Sequence, residues 1–210
     1  MAFSKILSRL FIAALFLSPL STLQAQQPQA AAANPDSSSL TGQLLVATPD
    51  IADPRFEHAV ILIIAHDRDG AFGVTINRPV GKHPMGELLD AVGQKHGRVN
   101  GEVPIFAGGP IQEQVGFILH STDYRDASTK AIGKGVSVTS STTILKDMAR
   151  GKGPKKTLIA FGFAGWLPGQ LEAEVDKHAW VVAPLDARLI FDTDPEKIWD
   201  LAWAKRTLSI

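Results

Sequence analysis

The chain of 210 residues contains no cysteine. This absence excludes disulfide bonds, thiolate nucleophiles and zinc or iron–sulfur sites held by cysteine. An excess of charge of either sign is also lacking, because 21 basic residues stand against 21 acidic residues. A balanced composition gives no electrostatic reason to expect nucleic acid as the main partner.

Motifs that mark several enzyme classes are missing as well. No Gly-x-Ser-x-Gly elbow is present to expose a serine nucleophile. The glycines at 133–135 and 151–153 do not continue into Gly-Lys-Ser/Thr, so these segments are predicted to be turns and not phosphate loops. The six histidines never occur three or four residues apart, so no helix presents a local metal pair. Motifs therefore assign no catalytic residue, no metal and no cofactor.

The sequence contains no apolar run of the roughly 20 residues that a transmembrane helix needs. Lys5 and Arg9 flank the start of a short apolar segment, 10–17, and Ala25 offers a small residue at a cleavage point. This pattern predicts a secretory signal peptide over residues 1–25, with an uncleaved anchor or a misassigned start as alternatives. Cleavage would leave 19 basic and 21 acidic residues in an exported, periplasmic protein without a transmembrane helix.

The rest of the chain divides into a spacer and one domain. Residues 26–39 carry no large apolar side chain, which predicts a disordered linker because little surface can be buried. Within 40–210, apolar segments of strand length alternate with helical patterns, which predicts a mixed sheet with helices packed on it. Strands are predicted at 43–48, 59–65, 71–76, 104–107, 114–120, 136–139, 157–161, 180–183 and 189–191. Helices are predicted at 84–92, from Ser140 or Ser141 to Gly151, at 168–177 and after an N-cap at Asp194.

The segment from Phe161 to Glu174 is the most distinctive part of the domain. A predicted strand enters a glycine-rich loop, and a predicted helix follows at Pro168. Gln170 and Glu174 are four residues apart and share one helix face, whereas Glu172 and Glu174 lie about 200° apart, which excludes a paired-carboxylate site. Such a corner suits either ligand binding or close structural packing.

This segment resembles the signature of the YqgE/AlgH family. Further blocks of similarity follow the same order along the chain, so the resemblance spans nearly all of residues 40–210; they lie at 42–47, 72–79, 106–110, 116–120 and 194–199. The resemblance implies an α+β fold in which a bent mixed β-sheet forms a partial barrel with flanking helices. It implies no settled biochemical activity, although one branch of the family is named as a regulator of alginate production. Family members usually lack a signal, so the resemblance implies a cytoplasmic protein as the alternative to export.

The leading hypothesis is a non-catalytic binding or regulatory protein. Arg78 offers a fork for a carboxylate or phosphate and Trp166 a flat apolar wall, so the expected partner is a small anionic ligand or a protein. The candidate ligand-binding residues, expected around one pocket, are Asn77, Arg78, Gly108, Gly109, Trp166, Gln170 and Glu174. One alternative is a hydrolase-type enzyme with Glu174 or a histidine as base. Another is a nucleic-acid-linked transcriptional regulator that uses the basic cluster at 150–156.

Overall fold

The computed structural model describes residues 39–207, so the predicted signal peptide and all of the predicted linker except Ser39 lie outside the described residues. Ten strands occur within the described part: β1 Leu44–Ala47, β2 Val60–Asp67, β3 Gly70–Thr75, β4 Pro79–Pro84, β5 Glu102–Ala107, β6 Ile111–His120, β7 Lys130–Gly133, β8 Val136–Thr139, β9 Thr157–Trp166 and β10 Trp180–Ala183. The α-helices of the same part are α1 Met85–Ala91, α2 Thr143–Ala149, α3 Gln170–Asp176, α4 Ala187–Phe191 and α5 Pro195–Ala204. A short 3-10 helix at Pro54–Phe56 follows β1.

The strands form one open sheet in the order β10-β1-β2-β3-β9-β6-β8-β7. Most neighbours are antiparallel, but β5 pairs with β9 in parallel and carries β4 on its other side, so the sheet is mixed. The sheet is strongly curved. Gly42, just before β1, lies against the Ile132 carbonyl on β7, although β1 and β7 are not neighbours in the strand order. The expected α+β fold with a bent, incompletely closed sheet is confirmed.

Both faces of the central strands are buried. Along β2, Leu62 belongs to the larger hydrophobic cluster under α4 and α5, while Ile61 and Ile63 belong to a second cluster under α3. This two-sided burial explains why the run 59–65 is continuously apolar and does not alternate. A third cluster lies between α1, α2 and the strands β5, β6 and β9.

Most predicted elements are present with shifted ends. The hairpin of β2 and β3 forms as expected, and the Asp194 side chain accepts a 3.2 Å hydrogen bond from the Glu196 N–H at the start of α5. The predicted strand at 189–191 is wrong, because these residues belong to α4, whose N-cap Asp186 accepts a hydrogen bond from the Arg188 N–H. Strands β4 and β7 were not predicted from the sequence. No helix within residues 39–207 is both long enough and apolar enough to cross a membrane.

Candidate functional site

The predicted glycine-rich loop is wrong for residues 162–166, because β9 continues to Trp166 and only residues 167–169 form the corner before α3. Trp166 ends the strand, and Gly169 precedes the helix with a φ of 74°, a left-handed conformation that favours glycine. Gln170 stabilises the turn, because its Oε1 accepts a 3.0 Å hydrogen bond from the Leu167 N–H. The loop therefore holds the start of α3 close to the last residue of the strand.

Glu174 connects this corner to the neighbouring part of the sheet. Its Oε2 accepts 2.8 Å hydrogen bonds from the indole N–H groups of both Trp166 and Trp180. Its Oε1 accepts a 2.8 Å hydrogen bond from the Gln170 amide, as the shared helix face predicted. The indoles are 7% and 2% exposed and meet edge to face with ring centroids 5.9 Å apart. The carboxylate thus fixes two buried aromatic side chains in one arrangement.

A cavity of about 410 Å³ opens beside these indoles. Its wall is mainly apolar and includes Ile51, Phe56, Ile111 and Ala164 in addition to the two tryptophans. The Phe56 ring packs edge to face on Trp180, with centroids 5.5 Å apart. We call this space, bounded by Phe56, Ile111, Trp166 and Trp180, the indole cavity.

Asp53 and Arg55 form the polar rim of the indole cavity. The guanidinium and carboxylate approach to 2.7 Å, and the hydrogen bond from Arg55 lowers the pKa of the Asp53 carboxyl. Because each charge is already neutralised by the other, the rim presents little net attraction for an ionic ligand.

Gly108 and Gly109 carry the chain from β5 across the face of β9 to β6. A Cβ at Gly108 would collide with the Gly162 carbonyl, and one at Gly109 would collide with the backbone of Phe163. The Gly108 N–H donates a 2.7 Å hydrogen bond to the Phe161 carbonyl. These contacts give the glycine pair a packing role, since they allow one backbone to pass directly over another.

Asn77 and Arg78 lie at a different cavity, of about 440 Å³. The Asn77 side chain makes hydrogen bonds to the backbone on both sides of Ala59. It accepts one from the Val60 N–H and donates one to the His58 carbonyl. Arg78 donates a 2.7 Å hydrogen bond to the Glu57 carbonyl. Three acidic side chains also line this cavity, which weakens its attraction for an anion; they are Glu57, Glu196 and Asp200.

The seven candidate residues therefore do not surround one pocket. Trp166, Gln170 and Glu174 share the indole cavity, whereas Asn77 and Arg78 line the other cavity. Sequence reasoning missed Phe56 and Trp180. No local signal singled out Trp180 as a partner of Glu174, because Asp176 is closer to Trp180 along the chain and the contact is seen only in the structure.

In two buried histidines, both ring nitrogens lie within hydrogen-bond distance of a partner. His66 Nδ1 accepts from the Leu40 N–H at 3.0 Å, which leaves the Nε2–H to donate to Glu172 at 2.9 Å. The backbone N–H of Glu172 and the His66 imidazole lower the pKa of the Glu172 carboxyl. The fully buried His120 lies 2.8 Å from the Ser121 carbonyl and 2.9 Å from the Thr139 hydroxyl. Among residues 39–207, no cluster of three His, Asp or Glu side chains has the arrangement of a metal site.

Comparison with known proteins identifies extensive similarity over this domain. A family model described as AlgH-like matches residues 44–209. A UPF0301 protein from Methylococcus capsulatus is 43% identical over 162 residues, which cover 77% of this chain and 88% of that protein. A UPF0301 protein from Sphingopyxis alaskensis is 44% identical over 165 residues, covering 79% of this chain and 88% of that protein.

Solved structures agree with the sequence similarity. The solution structure of the AlgH protein from Pseudomonas aeruginosa matches with a TM-score of 0.67 and 34% identity, covering 82% of this chain and 91% of that one. The crystal structure of a protein from Corynebacterium diphtheriae has a TM-score of 0.61 at 20% identity, covering 76% of this chain and 84% of that one, and is similar in fold.

Proposed function

The chain belongs to the AlgH-like family, and we propose that it is a non-catalytic binding protein whose ligand occupies the indole cavity. The cavity volume of about 410 Å³ falls in the range typical of small-molecule sites. An apolar wall with a few polar groups at the rim is also the usual composition of such sites.

The observation that carries this proposal is the hydrogen bonding of Glu174. A general base needs a free oxygen within reach of a substrate proton. Both Glu174 oxygens already accept hydrogen bonds, from Trp166 and Trp180 on one side and from Gln170 on the other. The carboxylate therefore supports the cavity wall, and neighbouring side chains take three of its roughly four acceptor positions, which favours binding over hydrolysis.

The wall chemistry favours a neutral ligand with an aromatic or branched aliphatic group. Edge and face contacts with Phe56, Trp166 and Trp180 would stabilise an inserted ring. Asp53 and Arg55 pair with each other, and the other charged group in the lining is the Glu174 carboxylate, so the cavity does not attract an anion. Regulation by the protein would then follow from occupancy of this cavity.

A direct test uses N-acetyl-phenylalanine amide as a probe and the indole N–H resonances of the protein as a readout. The chain has four tryptophans, and Trp199 and Trp203 lie outside the indole cavity. Titration is expected to move the Trp166 and Trp180 signals in a saturable manner while the other two stay in place. Single Trp-to-Phe variants assign the four signals.

A blocking variant provides the control. Ala52 is exposed at the cavity wall, so Ala52→Trp is expected to fill the opening and abolish the response. Ala204→Trp adds the same bulk at an exposed position of α5 outside the cavity, and it is expected to respond like the parent protein. Equal responses in the two variants, or no response in the parent protein, would reject the indole cavity as a binding site.

A further inference from the structure

The first described residues of the domain are attached to one histidine, His66, near the end of β2. Ser39 donates a 2.8 Å hydrogen bond to the His66 carbonyl, and Thr41 accepts one of 2.9 Å from the His66 N–H. Between these two contacts, the Leu40 N–H donates to the ring nitrogen Nδ1 at 3.0 Å. We call residues 39–41 the anchored segment. Its attachment to β2 therefore depends on the state of the His66 ring.

The hydrogen bonds of the His66 ring require a neutral imidazole. The backbone N–H of Leu40 can only donate, so Nδ1 must present its lone pair. The proton therefore resides on Nε2, which donates to Oε1 of Glu172 on α3 at 2.9 Å. The His66 side chain is 6% exposed, whereas the Glu172 side chain is 56% exposed. One buried imidazole thus joins the anchored segment to α3.

Protonation of this ring would act in opposite directions at its two nitrogens. An imidazolium donates from both nitrogens, so Nδ1–H would face the Leu40 N–H as donor against donor, and that hydrogen bond would be lost. The contact of Nε2 with Glu172 would persist and gain charge assistance. This gain is modest, because the Glu172 carboxylate is more than half exposed. Acid would therefore loosen the anchored segment while α3 stays attached to His66.

The charged groups around the ring come from α3, β7 and the turn after β2, since β3, β9 and the anchored segment contain no titratable side chain. On α3, Asp176 is exposed one turn beyond Glu172, and Glu174 is bound to the two indoles instead. The Lys130 ammonium on β7 donates to the Ile64 carbonyl. The turn contributes three exposed charged side chains, those of Asp67, Arg68 and Asp69. Glu172 is therefore the carboxylate in direct contact with the ring.

We propose that His66 is a pH-sensitive latch that holds the anchored segment when the ring is neutral and releases it when the ring is protonated. Histidine is the side chain that ordinarily changes its charge between pH 8 and pH 5. Leu40 packs against the second hydrophobic cluster, under α3, so release of the segment exposes apolar surface of that cluster. His66, Leu40 and Glu172 do not line the indole cavity, so this proposal and the proposed function are tested separately.

The test follows the backbone amide of Leu40 by NMR as the pH falls from 8 to 5. In the parent protein, the hydrogen-exchange protection of this amide is expected to fall about tenfold, because one hydrogen bond is lost. The fall should share its midpoint with the ring proton signals of His66, while the Ala173 amide within α3 keeps its protection.

Two variants separate the latch from a general effect of acid. His66→Asn places an amide oxygen at the position of Nδ1 but does not titrate, so the protection of Leu40 is expected to stay constant with pH. His83→Asn removes an exposed histidine of β4 and is expected to respond like the parent protein. Constant protection of Leu40 in the parent protein, or the same loss in His66→Asn, would overturn the proposal.

Glu172→Gln provides a second readout that does not depend on the folding of His66→Asn. Glutamine retains an acceptor for Nε2–H but removes the negative charge that favours the imidazolium. The release of the anchored segment is therefore expected at a lower pH than in the parent protein. An equal midpoint in Glu172→Gln and the parent protein would contradict control of the segment by the His66 ring.

Discussion

At the scale of single residues, Glu174 determines the shape of the candidate site. A carboxylate can accept about four hydrogen bonds, and this one receives three from nearby side chains. Two of the donors are indole N–H groups in an otherwise apolar region, where an unpaired donor is costly. The orientation of both tryptophans, and hence the wall of the indole cavity, depends on this one side chain.

We expect Glu174→Ala to lower the free energy of unfolding by about 2–4 kcal/mol, because it leaves the Trp166 and Trp180 donors unpaired. Glu174→Gln is expected to have a smaller effect of about 1–2 kcal/mol, since its remaining carbonyl oxygen can still accept from an indole. Urea denaturation at neutral pH measures both changes. Asp176→Ala, at an exposed position of the same helix, serves as the control and is expected to change stability by less than about 0.5 kcal/mol. A loss in Glu174→Ala no larger than in this control would contradict the structural role of the carboxylate.

The sequence predicted Trp166, Gln170 and Glu174 as parts of this site but not Phe56 and Trp180. The pairing of Gln170 with Glu174 follows from helix geometry alone, because residues four apart share a face. The approach of Phe56 and Trp180 depends on how β1, β10 and α3 pack, and no local pattern contains that information. Arg78 was predicted to line the same pocket because a sequence gives no measure of the distance between the turn after β3 and the corner after β9.

At the scale of secondary-structure elements, Asp186 organises the C-terminal helices. Its side chain caps α4 by accepting from the Arg188 N–H at 2.9 Å, and it also pairs with Lys205 after α5. The hydrogen bond from Lys205, followed by those from Arg188, lowers the pKa of the Asp186 carboxyl well below its usual range. One carboxylate therefore joins the start of α4 to the end of α5.

This arrangement predicts a pH-dependent contribution to stability. Because the pKa is lower in the folded state, the contribution is complete above the unfolded value of about 3.8 and is lost as the pH falls toward the folded value. Asp186→Asn keeps an N-cap side chain and removes the charge, so we expect a loss of about 1 kcal/mol at neutral pH that diminishes below about pH 4. Denaturant unfolding across this pH range measures the difference between parent and variant. The same difference at every pH, or an equal pH dependence in the exposed control Asp200→Asn, would contradict this account.

The elements that were mispredicted or missed from the sequence, such as α4 and β4, lack a distinctive local sequence pattern. Leu189, Ile190 and Phe191 form a short apolar run that suits either a strand or one helical turn, and the Asp186 cap decides for the helix. Strand β4 has a proline at each end and is exposed throughout, so it lacks the usual strand pattern and pairs only at the sheet edge. By contrast, the buried run of β2 and the Asp194-Pro195 start of α5 carry strong local signals, and both were predicted.

At the scale of the whole molecule, the first described residues, 39–41, make hydrogen bonds to His66 on β2. Ser39 donates a 2.8 Å hydrogen bond to the His66 carbonyl, and the Leu40 N–H donates to the His66 ring. Thr41 accepts a 2.9 Å hydrogen bond from the His66 N–H. These contacts belong to residues well beyond Ala25, so cleavage at the predicted signal boundary would remove none of them.

We therefore expect the full chain, expressed in a Gram-negative host, to be recovered from the periplasm as a folded protein that begins near Gln26. The physical reason is the positive start at Lys5 and Arg9 followed by the apolar segment 10–17, which is too short to remain as a membrane span. Cell fractionation with N-terminal sequencing measures both the location and the cleavage point. Leu15→Arg interrupts the apolar segment without touching residues 39–207, so that variant is expected to stay in the cytoplasm with its N-terminus intact. Recovery of the parent protein uncleaved from the cytoplasm would contradict export.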